Sequence, residues 1–250
     1  MTITAAFFRK ELATWRQDPT LFVFLFAAPL LMQALLSDAF SRITESAGAQ
    51  QTVPGFTIMF GFYVMMFMGT SHYREHASGA WALVRTSGLS KAMMAVQLAI
   101  PYFVLSAAQM TLLILIGRML FGGTINGSPL AVAVLVLTIA WAAIALGLAL
   151  ISVTRNVSAM QNLCQLVVLG MGAVGGAVVP VRLMPPWCRP LAPLTPQYWA
   201  MDGMRQVLAE RGGLVDIAPH LAVLAGWACV LSLIAAVAFD PGSRRRVAIR

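Results

Sequence analysis

Six runs of apolar residues, each about as long as a bilayer is thick, constrain this chain more than any other feature. They fall at 20–36, 53–71, 92–116, 129–152, 157–179 and 221–239, and crossing a hydrocarbon core about 30 Å thick takes roughly 20 residues of helix. A backbone in lipid must satisfy its own N–H and C=O groups, so runs of this length are predicted to be helices. With 59% hydrophobic and only 10% charged residues, and a mean hydropathy of +0.80, the chain has too little polar surface for a soluble fold. The expected fold is an all-α integral membrane domain of six transmembrane helices over residues 1–250.

The formal charge of +8 does not point to nucleic acid, because the arginines are scattered between apolar runs rather than gathered in a basic module. They point instead to orientation. With both termini in the cytoplasm, eleven Lys and Arg lie inside and six outside, as the positive-inside rule asks. Arginine outnumbers lysine 15 to 2 and alanine is abundant, which favours a GC-rich bacterial genome. Cys164, Cys188 and Cys229 are far apart and have no metal-ligand spacing. The first apolar run has no small-residue cleavage pattern after it, so the N-terminus is expected to be retained.

Residues 1–18 form a predicted elbow helix at the inner interface, with Phe7, Phe8, Leu12 and Trp15 on its apolar arc. Asp18 and Pro19 break it and turn the chain into the membrane. Glu11 projects from the apolar arc, where burial in lipid without a partner is costly. It either snorkels to the headgroups or forms an ion pair with a protein partner. Residues 72–91 interleave charges with Trp81, Leu83 and Val84, a composition suited to a short helix pressed on a partner. Gly172 and Gly176, four apart in the fifth run, predict close packing of a helix pair. The stretch 180–215 is rich in proline yet apolar, and is expected to fold back at the outer interface as a re-entrant segment.

Catalytic chemistry finds little support. His72, Glu75 and His76 match the H-x-x-E-H pattern of one zinc protease class, but nothing nearby offers a third ligand, so no metal site is assigned. There is no G-x-S-x-G and no G-x-x-x-x-G-K-[ST], so neither serine hydrolysis nor ATP binding is expected of this chain. Gradient-driven transporters carry ionisable residues within their spans and internal repeats, and both features are lacking here.

The order of motifs resembles the ABC-2 type permease family. KELATWRQDPTLFVFLFAAPL is similar to its elbow helix and first span, and YREHASGAWALVRTSGLSKAMMAVQLAIPY to its cytoplasmic motif and third span. GAVVPVRLMPPWCRPLAPLTPQYWAMDGMRQVL matches the family's outer segment through Pro180, Pro185 with Trp187, Pro196 with Tyr198, and Asp202 with Arg205. The resemblance implies a permease that is not itself an enzyme. It would pair with an identical or homologous permease and with two cytoplasmic ABC ATPase subunits, which alone carry ATP and Mg.

It also implies roles for residues. Glu11, Arg74, Glu75, Ser78, Gly79, Trp81 and Arg85 would face the ATPase, the last of them in a coupling helix between spans two and three. Phe56, Phe60, Tyr63, Met66 and Phe67 of span two, with Met171, Val174 and Val178 of span five, would line the translocation path. Trp81 in GAW and the pair Pro101 and Tyr102 are more similar to the daunorubicin-resistance type of drug exporter than to the polysaccharide type. The implied cargo is a hydrophobic or amphipathic, drug-like molecule, with a lipid or lipid-linked polysaccharide as the alternative. His76-Ala77-Ser78 departs from the family's more charged stretch at that point, and the first outer loop is short.

Overall fold

The computed structural model describes residues 3–44, 48–77, 90–121, 126–210 and 212–239, and every regular element among them is helical. Helix α1 (Ile3–Gln17) stops where expected. Asp18 then caps the next helix by accepting from Thr20 N at 3.1 Å, with Pro19 in its first turn. Span one runs through α2 (Pro19–Phe22), a π turn (Val23–Ala27) and α3 (Ala28–Thr44). Spans two, three and four are α4 (Ala49–Ala77), α5 (Lys91–Phe121) and α6 (Pro129–Val153). Span five is α7 (Val157–Val174), α8 (Pro196–Leu208) follows two short 3-10 turns, and span six is α9 (Ala218–Ala238). Six helical stretches among the described residues are long and apolar enough to cross a membrane.

The spans alternate in direction, so the bundle has two faces. One carries α1 and the C-terminal end of span two; the opposite face carries the connection from span five to span six and α8. Span two lies at the centre, almost wholly buried, with spans one, three, four and five and α8 packed around it. Span six packs chiefly on span four. Water supplies no drive for helices to associate within lipid, so close steric fit must do so. Methionines fill notches left by glycine: Met110 at Gly61, Met160 at Gly69, and Met65 and Met68 at Gly147.

Two boundaries differ from the sequence reading. Span two continues as helix to Ala77, so His72, Arg74, Glu75 and His76 extend it rather than opening a loop. A hydropathy pattern marks the apolar layer, and a helix can continue past it with polar side chains. Span five ends at Val174, with Gly175 as its C-cap, so Gly176 is not part of a helix pair. Gly176 has φ +86°, the left-handed turn that redirects the chain, and its carbonyl accepts from Gln51 Nε2 at 2.8 Å. The close approach falls on Gly55 of span two instead: a Cβ there would lie 2.1 Å from the Ala177 carbonyl oxygen. Gly172 is less crowded, its nearest neighbour for an added Cβ being Met59 at 3.9 Å.

The π turn in span one was not foreseen. Inserting a residue into the helical ladder disturbs its carbonyl pairing. Here the buried Gln109 of span three donates its amide to Leu25 O at 2.9 Å.

Candidate functional site

A polar cluster forms within the bundle where α1 meets spans two and three. Glu11 is 2% exposed and turns into the chain, away from the headgroups. Ser71 Oγ donates to its Oε1 at 3.0 Å, and the Tyr102 hydroxyl donates to its Oε2 at 2.7 Å. Lys10 Nζ lies 3.3 Å from Glu11 Oε1 and also pairs with Glu75, a buried residue one helical turn beyond Ser71 on the same strip of span two. Trp15 packs its ring edge-on against Tyr102, with centroids 5.5 Å apart. A surface helix is thereby fastened to two spans by hydrogen bonds that span 60 and 91 residues of sequence.

Helical geometry explains why these groups meet. Ser71 and Glu75 are four apart, so both project from one face of span two toward α1. Tyr102, Ser106 and Gln109 follow the same rule on span three and form its buried polar stripe. Ser106 bonds Gly61 O at 3.2 Å and Gln109 bonds Leu25 O, so one face of span three ties together α1, span two and span one. The neighbouring Tyr73 shares a hydrogen bond of 2.9 Å with Thr154, which links the end of span two to the turn between spans four and five.

Of the residues assigned to ATPase coupling, Glu11 and Glu75 are buried in this cluster, and Arg74 is exposed on the same face of the bundle. Ser78, Gly79, Trp81 and Arg85 lie outside the described residues. The pair His72 and His76 sits beside the cluster, with ring centroids 4.6 Å apart, and His72 also packs against Tyr73 and Phe239. Glu75 of that motif is held by Lys10, and among the described residues no group of three or more His, Cys, Asp or Glu is placed to hold a metal ion.

The residues assigned to the translocation path divide in two. Phe56, Phe60 and Tyr63 are buried, whereas Met66, Phe67, Met171, Val174 and Val178 keep partial exposure. Phe24 of span one covers two of the buried rings, Phe60 and Tyr63. Its ring lies 5.4 Å from both Phe60 and Tyr63 and 5.8 Å from Phe67, forming one aromatic cluster between spans one and two. Phe24 was not singled out in the sequence, since one phenylalanine in an apolar run carries no distinguishing signal.

On the opposite face, Asp202 is engaged by Arg205 at 2.6 Å and by His220 Nε2 at 2.8 Å, which fixes α8 to the start of span six. Thr195 caps α8, and Trp199 Nε1 donates to Pro193 O at 2.8 Å, so the proline-rich segment is folded onto the helix that follows it. Asn126 and Gly127 donate backbone N–H groups to the carbonyls of Leu208 and Val207, which secures the other end of α8.

The ABC-2 type transporter family model matches residues 3–209. Among curated proteins the chain is 27% identical over 203 residues to the linearmycin resistance permease protein LnrN of Bacillus subtilis (strain 168). That alignment covers 81% of this chain and 52% of the relative, so the chain spans about half the length of the curated relative it matches.

Proposed function

The chain belongs to the ABC-2 type transporter family, and from that premise we propose that it is the permease subunit of an exporter that moves amphipathic, drug-like molecules across a bacterial plasma membrane. In this reading α1 lies along the cytoplasmic interface and both termini are cytoplasmic. The ATPase is a separate subunit present in two copies, and a second permease, identical or homologous, completes the complex. Residues 1–250 act as one transmembrane domain.

The observation that carries the reading is the fastening of α1 to the spans through Glu11, Ser71, Tyr102, Lys10 and Glu75. An ATPase pair that closes against the cytoplasmic face would push on α1, on Arg74 at the end of span two, and on the stretch containing Ser78, Gly79, Trp81 and Arg85. Glu11 and Glu75 then serve as the joint that carries this displacement into spans two and three. Such a joint needs stiffness, and buried hydrogen bonds to an ionisable group supply it.

Movement of span one would separate Phe24 from Phe60, Tyr63 and Phe67. The aromatic face of span two, including Phe56 and Met66, would then open toward Met171, Val174 and Val178 of the partner permease's span five. Apolar and aromatic walls suit a hydrophobic cargo body. Two states related by repacking of one helix meet the requirement for switching access.

The test is ATP-driven uptake of a fluorescent amphiphile into inside-out vesicles containing the chain and its ATPase. Glu75→Ala and Arg85→Ala are expected to retain ATP hydrolysis and lose most of the uptake. Normal uptake in both variants would remove this region from the coupling path.

A further inference from the structure

Spans three, four and six leave an apolar groove between them that the transport reading does not use. Its volume is about 580 Å³, within the range of small-molecule sites. Short side chains leave the space: Ala95 and Ala99 on span three, Ala145 on span four, and Ala235 and Ala236 on span six. Span six packs chiefly on span four, so the groove lies where the protein itself makes few contacts between spans six and three.

The groove occupies one half of the membrane. Its lining comes from the first half of span three and the second halves of spans four and six, which are the halves that end on the α1 face. From Ala92 to Phe103 it rises about 17 Å along span three, and half of a hydrocarbon core is about 15 Å. Its deepest residues, Phe103, Trp141 and Cys229, all lie near the midpoints of their spans. A docked helix crosses the whole core and needs a seam of that length. A groove that stops at the midplane has the length of one leaflet's acyl chain.

The open end meets cations. Lys91 is exposed in the first turn of span three, next to Ala92, and Arg155 is exposed just after span four. Beyond span six the sequence continues through Asp240 to Arg244, Arg245, Arg246 and Arg250. Asp240 is the one acid in the sequence at these three span ends, so the balance there is strongly positive and favours an anionic head. Membrane orientation accounts for the side on which these cations fall. It does not account for a groove of leaflet depth that opens on that side.

We propose that the groove holds an acyl chain of an anionic phospholipid, whose phosphate is drawn to Lys91 and the cations at the adjoining span ends. Naming the leaflet as cytoplasmic rests on the orientation given above; the preference for an anionic lipid does not.

The experiment is fluorescence quenching of the full chain in phosphatidylcholine nanodiscs. Phosphatidylglycerol brominated on its acyl chains is added in rising mole fraction, and the series is repeated with brominated phosphatidylcholine. Subtracting the signal of Trp141→Phe isolates Trp141, which lines the deep end of the groove. Half of its quenching is expected at about a tenfold lower mole fraction of phosphatidylglycerol than of phosphatidylcholine. Lys91→Gln should reduce that preference about fivefold, the share of one cation near an anionic head. Ala99→Leu and Ala236→Leu fill the groove and should each remove most of the preference. Ala236 is exposed, so its variant remains informative even if Ala99→Leu disturbs the packing. Equal quenching by the two lipids would overturn the proposal. A preference that both groove variants leave intact would place the lipid on the cationic rim, outside the groove, and overturn it as well. Absence of quenching by either lipid would mean that protein covers the groove, with a second copy of the chain in place of the lipid. None of these measurements needs an ATPase, so their failure leaves the exporter reading untouched.

Discussion

Tyr102→Phe removes a single oxygen, the one that donates to Glu11 Oε2 at 2.7 Å inside the protein. A hydrogen bond to a charged group is worth about 1.5–3 kcal/mol, and a buried acceptor left without its donor forfeits that amount. Glu11→Gln keeps the shape of the side chain but replaces one accepting oxygen with an NH₂, so that Ser71 or Tyr102 must turn from donor to acceptor and both bonds lose their charge assistance; its cost is about 1–3 kcal/mol. Glu11→Ala strands both hydroxyls and leaves Lys10 only Glu75, for a loss of about 3–5 kcal/mol. If these groups form one joint, Glu11→Gln and Tyr102→Phe cannot add. Once the acceptor is altered, the hydroxyl has less to lose, and a coupling energy of about 1–2 kcal/mol is expected between the two substitutions. Reversible unfolding of the four proteins in mixed micelles, followed by tryptophan fluorescence, measures it. Trp15 packs against Tyr102, so its share of the emission of the six tryptophans reports this region. Additivity within about 0.5 kcal/mol would refute the coupling of Glu11 to Tyr102 and with it the joint between α1 and span three.

Further expectations follow from the packing. Gly55→Ala should prevent stable folding, because the new methyl would meet the Ala177 carbonyl oxygen at 2.1 Å, whereas Gly170→Ala, with nothing within 4 Å, should be neutral or slightly stabilising; expression and monodispersity on gel filtration distinguish the two. Gln109→Leu takes the donor from Leu25 O and should cost about 1–3 kcal/mol in the same micellar unfolding assay. Phe24→Ala opens the aromatic cluster between spans one and two and is expected to raise basal ATP hydrolysis of the assembled transporter while lowering stability by about 3 kcal/mol or more. Unchanged hydrolysis in that variant would mean that span one does not gate the path.

The six spans were legible because bilayer thickness imposes one length on all of them, and that length is visible in composition alone. Their ends were less so. His72, Arg74 and Glu75 continue the helix of span two because polar side chains terminate an apolar window without terminating hydrogen bonding. The fifth helix stops at Val174 because consecutive glycines favour a turn, to which hydropathy is blind. Glu11 was visible as an anomaly, an acid on an apolar arc, but its partners Ser71 and Tyr102 are too distant in sequence to be read from local pattern. A signal for one of them did exist: Tyr102, Ser106 and Gln109 place three hydrogen-bonding groups on one face of an apolar helix. Such a stripe is costly in lipid and therefore marks an interior face. Asp202 and Arg205, three apart on one helix, were legible as a pair, but the aromatic cluster at Phe24 and the contact of Asp202 with His220 depend on tertiary contacts for which the sequence offers no comparable mark.

Purification of the tagged chain from its native membrane in mild detergent, with mass identification of stoichiometric partners and an ATPase assay on the eluate, tests the central claim most directly. The account predicts a co-purifying soluble ATPase subunit whose hydrolysis rises when amphiphiles are added. A chain recovered without that subunit and without ATP hydrolysis would contradict it.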